Sequence, residues 1–82
     1  MRARDASTNY YVNKQRANSL IKNKISWLKE HPKEQLNVFQ IIMDLTEELP
    51  ISEKHITNRL DLIVKLDPTI HFSEETIYYS ED

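Results

Sequence analysis

The chain has 82 residues, 39% of them hydrophobic and 29% charged, with a formal net charge of −2 at pH 7, which predicts one small domain with a modest core. It contains no Cys and no Gly, which excludes disulfides, Cys-based zinc sites and the usual glycine-dependent phosphate loops and nucleophile elbows. The chain has no apolar run long enough to predict a membrane span, and its amino terminus lacks the apolar segment of a secretory signal. We therefore expect an intracellular protein.

The amino-terminal third of the chain is basic and the remainder is acidic. Residues 1–33 hold eight basic and two acidic residues, a net charge of +6, whereas residues 34–82 hold three basic and eleven acidic residues, a net charge of −8. This split predicts contact between the amino-terminal third and a polyanion, with a solvated basic helix face as the alternative. We expect residues 1–14 to form a flexible basic arm, with Tyr10-Tyr11-Val12 packed against the domain edge.

The first helix is predicted over residues 15–31, because apolar residues there fall on one stripe of a helical wheel. Pro32 ends the helix by pushing His31 out of the α region. The stripe comprises Ala17, Leu20, Ile21, Ile25, Trp27 and Leu28. Trp27 lies at the edge of the stripe, where packing is expected and base stacking is the alternative.

A short strand is expected at Gln35-Leu36, and Asn37 is predicted to cap the second helix, with Gln40 completing a capping box. Pro50 ends this helix. Its buried face is predicted to comprise Val38, Phe39, Ile41, Ile42, Leu45 and Leu49. Met43 falls off that face, which makes it a candidate for contact with a partner.

Ser52 is predicted to cap the third helix, after a connection short enough for a helix-turn-helix. The buried stripe of this helix is expected to be Ile56, Leu60, Ile63, Val64 and Leu66. The opposite face presents Lys54, Thr57, Asn58, Asp61, Leu62 and Lys65. Leu62 is the apolar exception on that face, so it is a second candidate for a protein interface.

After Asp67-Pro68 the apolar spacing changes to alternation, which predicts two strands joined at Glu74-Glu75. A helix-turn-helix followed by a hairpin predicts an α+β winged helix over residues 15–79, with three helices and a C-terminal hairpin wing. Residues 80–82 are expected to form an acidic tail.

No pattern in the sequence carries catalytic chemistry. The histidines at 31, 55 and 71 lack metal-ligand spacing, and the neighbouring pairs Glu47-Glu48 and Glu74-Glu75 do not face each other across a cleft. We therefore expect a protein that is not an enzyme, with no cofactor, no metal, no membrane contact and no small-molecule substrate.

From Ile25 to Tyr79 the chain resembles the winged-helix core of the beta subunit of the general transcription factor TFIIE. The resemblance uses residues of all three helices and is most specific at residues 66–70, Leu-Asp-Pro-Thr-Ile, ahead of the wing. It implies a non-catalytic, nuclear module of the RNA polymerase II initiation machinery that touches promoter DNA and neighbouring factors. The sequence departs from the family at the acidic wing tip, Glu74-Glu75, and after Tyr79, where the family tends to have a basic residue and proline.

Three functions follow as hypotheses. The first is weak, salt-sensitive binding of duplex DNA, because phosphate neutralisation dominates such affinity and the start of a recognition helix reads bases. The candidate DNA-binding residues are Arg2, Arg4, Lys14, Arg16, Lys22, Lys29, Lys54, Thr57 and Asn58. The second is contact with other transcription proteins in a larger assembly, through Met43 and Leu62. The third is a small stand-alone viral or plasmid regulator that binds DNA as a dimer.

Overall fold

Three helices and a three-stranded antiparallel sheet form this protein, seen in a computed structural model that describes residues 6–81, with side chains described from Tyr10 onward. In chain order the elements are α1 (Ala6–Glu30), β1 (Gln35–Asn37), α2 (Val38–Glu48), α3 (Glu53–Leu66), β2 (Ile70–Ser73) and β3 (Thr76–Tyr79). β3 lies between β1 and β2 and is antiparallel to both. The predicted α+β winged helix is therefore confirmed.

α1 begins at Ala6 rather than at residue 15, so residues 6–14 are helical where the sequence predicted an arm. The helix is about 37 Å long at 1.5 Å per residue. Tyr10, Tyr11 and Val12 are exposed, which contradicts their predicted packing against the domain edge. No Gly or Pro interrupts this segment, so the helix continues past the packed part of the fold, which begins at Ala17.

The core is formed by one stripe of each helix and the inner face of the sheet. On α1 the predicted stripe is confirmed at Ala17, Ile21, Ile25 and Leu28, all buried, whereas Trp27 is partly exposed and stacks on His31 with ring centroids 4.4 Å apart. The other buried side chains are Ile41, Ile42, Leu45, Leu49, Ile51, Ile56, Leu60, Ile70 and Ile77. This shared core fixes α1 against α3, which sets the geometry of the site described below.

Asn37 caps α2 as predicted, because its side-chain oxygen accepts a hydrogen bond from the backbone N–H of Gln40 at 3.0 Å. The capping box is incomplete, because the Gln40 side chain donates to Asp44 at 2.9 Å and not back to Asn37. Phe39 was predicted to be buried but is 54% exposed. It lies two residues, or about 200°, from the buried Ile41 around the helix, so it faces away from the core.

α3 begins at the predicted cap, where the Ser52 hydroxyl accepts from the backbone N–H of His55 at 3.1 Å. Ile56 and Leu60 are buried, and Ile63 and Val64 are half-buried against the same core. Leu66 is 74% exposed, so its predicted burial is wrong. It occupies the last turn of α3, on the same side of the helix as the exposed Leu62 four residues earlier.

The wing is a tight hairpin in which Ser73 pairs with Thr76 across the predicted Glu74-Glu75 turn. Glu74 takes φ 57°, and the Thr76 hydroxyl donates to the Ser73 carbonyl at 2.9 Å, which closes the turn. A left-handed φ is usually adopted by Gly and is unfavourable for residues with a Cβ, so the conformation of Glu74 lowers the stability of the fold. Among the described helices, none combines the length and apolar character needed to cross a membrane.

Candidate nucleic-acid interface

An open groove of about 330 Å³ lies between α1 and α3 and is lined by three basic side chains. α1 contributes residues three or four positions apart, which share one side of a helix. The lining of this α1–α3 groove comprises Asn18, Lys22, Ile25, Ser26, Lys29, Arg59, Ile63 and Asp67. The groove thus combines two apolar side chains with polar and cationic ones. This arrangement suits a small anionic group.

Arg59 is the basic residue that α3 contributes to the α1–α3 groove. Its Nε atom is buried and has no hydrogen-bond partner among the described residues. A buried donor on a charged group is costly when it has no acceptor, so Arg59 reaches the groove with hydrogen-bonding capacity that the described residues do not use. Arg59 was not among the predicted residues, although a wheel of α3 places it beside the buried Ile56 and the half-buried Ile63.

His55 and Lys14 continue the groove toward the amino terminus of α1. The His55 Nε2 lies 3.2 Å from the Asn18 Oδ1, so the imidazole donates to the amide oxygen. Burial lowers the pKa of His55, and the positive charges of Lys14 and Arg59 lower it further. Burial is the larger cause of the lowered pKa, and the smaller contribution of Lys14 and Arg59 reflects a positive potential from cations on both helices.

At the other end of the groove, Lys29 and Asp67 form an ion pair with 2.6 Å between Nζ and Oδ2. The Asp67 carboxylate also accepts from the backbone N–H of Thr69 at 3.0 Å and from the Thr69 hydroxyl at 2.6 Å. Hydrogen bonding to Lys29 and then to Thr69 lowers the pKa of Asp67 to about 2. The charge of Lys29 is therefore balanced by Asp67. The described residues provide no ion-pair partner for Lys14, Lys22 or Arg59.

The predicted residues of α3 lie on its outer face, next to the groove. Lys54 and Asn58 are exposed, while the Thr57 hydroxyl donates to the Lys54 carbonyl at 3.1 Å. Arg59, Asn58 and Lys54 lie within about 140° of arc when α3 is viewed down its axis. The groove and the outer face of α3 therefore form one continuous surface. Asp61 is exposed on the same face and reduces its positive charge.

Not all predicted DNA-binding residues belong to this surface. Lys14, Lys22 and Lys29 share one side of α1, whereas Arg16 lines a separate depression with Leu20, Glu48 and Leu49, toward the end of α2. Arg2 and Arg4 lie outside the described residues. The structure therefore gathers three of the four candidate cations of α1 and separates Arg16 from them.

The two predicted protein-interface residues lie on different helices. Met43 on α2 is 54% exposed, and Phe39, one turn before it, is equally exposed. Leu62 on α3 is 41% exposed, on the side of the helix that carries His55. Met43 therefore has an apolar neighbour that the sequence did not predict, while Leu62 adjoins the surface formed by α1 and α3.

Within residues 6–81, no group of three or more His, Asp and Glu side chains is arranged to hold a metal ion. The histidines have other contacts: His31 Nδ1 lies 2.8 Å from the Trp27 carbonyl, and His71 Nε2 lies 3.1 Å from the Ser80 carbonyl. The geometry can therefore neutralise and orient an anionic ligand, and no described side-chain arrangement points to a particular reaction.

Comparison of this chain with protein-family models, with curated proteins and with solved structures finds no match.

Proposed function

We propose that this chain is a non-catalytic winged-helix module that binds duplex DNA weakly through the α1–α3 groove and the outer face of α3. The observation that carries the proposal is the set of cations at this surface, Lys14, Lys22, Arg59 and Lys54, without ion-pair partners among the described residues. Unpaired cations on a continuous face are what phosphate neutralisation requires, and this neutralisation dominates affinity for DNA.

The neighbouring polar residues fit such a role. Asn58 is exposed near the start of α3, in the part of a recognition helix that contacts base edges in helix-turn-helix proteins. Its neighbour Thr57 has its hydroxyl directed to a backbone carbonyl, and Asp61 would repel phosphate on the same face. We therefore infer low sequence specificity, with most of the affinity supplied by contacts to the DNA backbone.

A role within the transcription machinery is part of the proposal, and its ground is the resemblance of residues 25–79 to the TFIIE beta core. The wing does not contribute to DNA contact in this account, because Glu74 and Glu75 are both exposed at its tip and acidic. The module thus uses its helices, and not its hairpin, against the polyanion.

Titration with a short duplex, followed by the backbone amide shifts, tests the proposal. We expect shifts at Lys14, Lys22, Asn58 and Arg59 at low salt, and we expect them to fade as the salt concentration rises. The amides around Glu74 should stay in place and serve as an internal control. No shifts at low salt, or shifts centred on the wing, would contradict the proposal.

Contact with another protein is the second candidate, because Phe39 and Met43 form an exposed apolar pair on α2. Under this alternative, a transcription protein added to the chain shifts these amides, and Met43→Asp abolishes the effect while circular dichroism shows the fold intact. Leu62→Asp tests the other predicted contact in the same way. Binding that survives both substitutions would remove both residues from the interface.

A further inference from the structure

We propose that the α1–α3 groove holds one phosphate group, with Arg59 as its central donor. The inference rests on the proposed function, because the phosphate is expected to be a backbone phosphodiester of duplex DNA. It goes further by assigning one phosphate to one pocket and by naming the residue on which that contact depends.

The guanidinium of Arg59 is the first reason. Its Nε atom is closed to solvent and meets no acceptor from the described residues. A guanidinium presents parallel N–H groups in a planar fork, and this fork matches two oxygens of a phosphate. Because Arg59 lines the groove, a phosphate there would meet the terminal N–H groups of the fork and not the buried Nε–H.

The second reason is the chemistry of the surrounding side chains. Lys22 supplies a second cation, and Asn18 and Ser26 supply polar groups on the same side of α1. Ile25 and Ile63 form the apolar part of the lining. These groups suit a compact tetrahedral anion.

The charge of the pocket is positive and unevenly distributed. Lys22, Lys29 and Arg59 contribute three positive charges and Asp67 contributes one negative charge, which leaves +2. Asp67 is held ionised beside Lys29, because hydrogen bonds from Lys29 and Thr69 stabilise its carboxylate. Its carboxylate repels an anion from that end, so we place the phosphate between Lys22 and Arg59.

The test is a titration of the whole chain with inorganic phosphate, followed by the Arg Nε–Hε resonances. The chain has four Arg residues, so the resonance of Arg59 can be assigned with an Arg59→Lys variant. We expect a saturable shift of this resonance with phosphate and none with chloride at equal ionic strength. No shift of the Arg59 resonance with phosphate would overturn the proposal.

Two substitutions have opposite expected effects. Arg59→Lys keeps the charge and removes the planar fork of donors, so phosphate affinity should fall about tenfold, the loss expected for one charge-assisted hydrogen bond. Asp67→Asn removes the repelling carboxylate and releases Lys29, so phosphate affinity should rise. A merely structural role of both residues would lower affinity in both variants. Arg16→Gln, outside the groove, is the matched control and should change nothing.

Repeating the titration with duplex separates this inference from the proposed function. A duplex that shifts the groove amides but leaves the Arg59 Nε–Hε resonance in place would overturn the pocket and leave DNA binding standing. Phosphate binding at Arg59 without any duplex binding would support the pocket and overturn the DNA proposal. If Arg59→Lys does not fold, Lys22→Gln replaces it, and unchanged phosphate affinity in that variant counts against the pocket.

Discussion

Asp67→Asn should destabilise the protein, because the Asp67 carboxylate is the acceptor for both Lys29 and Thr69. The pKa of Asp67 is lowered from 3.8 to about 2, which corresponds to roughly 2 kcal/mol, since one pKa unit is worth about 1.4 kcal/mol. The Lys29 side chain is 42% exposed, so solvent screening reduces the expected loss to about 1 kcal/mol. The Asn side chain keeps the size of Asp67 and an oxygen for Thr69, which isolates the contribution of the charge.

The effect has a defined pH dependence. A carboxylate with a lowered pKa in the folded state stabilises that state fully above the unfolded pKa near 3.8. This stabilisation is lost as the pH falls from there through the folded pKa of about 2. The difference in unfolding free energy between the wild type and Asp67→Asn should therefore be constant from pH 7 to pH 5 and shrink toward pH 2.

Urea unfolding followed by circular dichroism measures this difference at each pH. The matched control is Asp61→Asn, an exposed carboxylate of α3, the helix that ends just before Asp67; it should change stability by less than about 0.5 kcal/mol. Comparing variants at each pH removes the contribution of the other carboxylates. A loss of unfolding free energy in Asp67→Asn that is the same at pH 7 and pH 2, or equal to that of Asp61→Asn at every pH, would contradict this expectation. Either result would mean that the Asp67 charge does not stabilise the folded state.

Three further substitutions test the fold by the same urea assay. Leu45→Ala removes a side chain that is 1% exposed and should cost roughly 2–5 kcal/mol; a loss below 1 kcal/mol would mean that the core closes around the gap. Ser52→Ala removes the α3 cap and should cost about 1 kcal/mol of unfolding free energy. No loss would show that water accepts the hydrogen bond of the His55 backbone N–H equally well. Glu74→Gly relieves the left-handed φ and should gain roughly 0.5 kcal/mol, whereas a loss would mean that the Glu side chain itself stabilises the turn.

Features with a local cause could be predicted from the sequence. Asn37 and Ser52 cap the helices that they were predicted to cap, because capping depends on one side chain and a backbone N–H three residues later. The hairpin at Glu74-Glu75 follows from alternation on both sides of a polar pair. These signals lie within a few residues of the structure that they determine.

Features that depend on tertiary packing were not predicted. The start of α1 was missed because residues 6–14 have no strong apolar periodicity, and helix can continue there without packing. Phe39 and Leu66 were assigned to buried faces, but each lies in a terminal turn of its helix, on a side that no other element covers. Hydrophobicity alone does not indicate which end of a helix extends past the core.

The candidate site shows the same division. The charge split of the chain predicted the cations of α1 as contact residues, but it could not separate Lys22, in the groove, from Arg16, outside it. It also missed Arg59, because this residue belongs to a helix that is nearly neutral as a whole. Only the packing of α1 against α3 brings Lys22 and Arg59 to one pocket.

The salt dependence of duplex binding is the sharpest test of DNA contact through the α1–α3 groove. With Lys14 and Lys54 each on one phosphate and Lys22 and Arg59 sharing a third, the logarithm of the binding constant should fall with the logarithm of salt concentration with a slope of about −2.7. Lys14→Gln should reduce this slope to about −1.8. Arg16→Gln, the same loss of charge on the other side of α1, should leave it unchanged. Equal reductions in the two variants, or a wild-type slope near zero, would contradict binding through the α1–α3 groove.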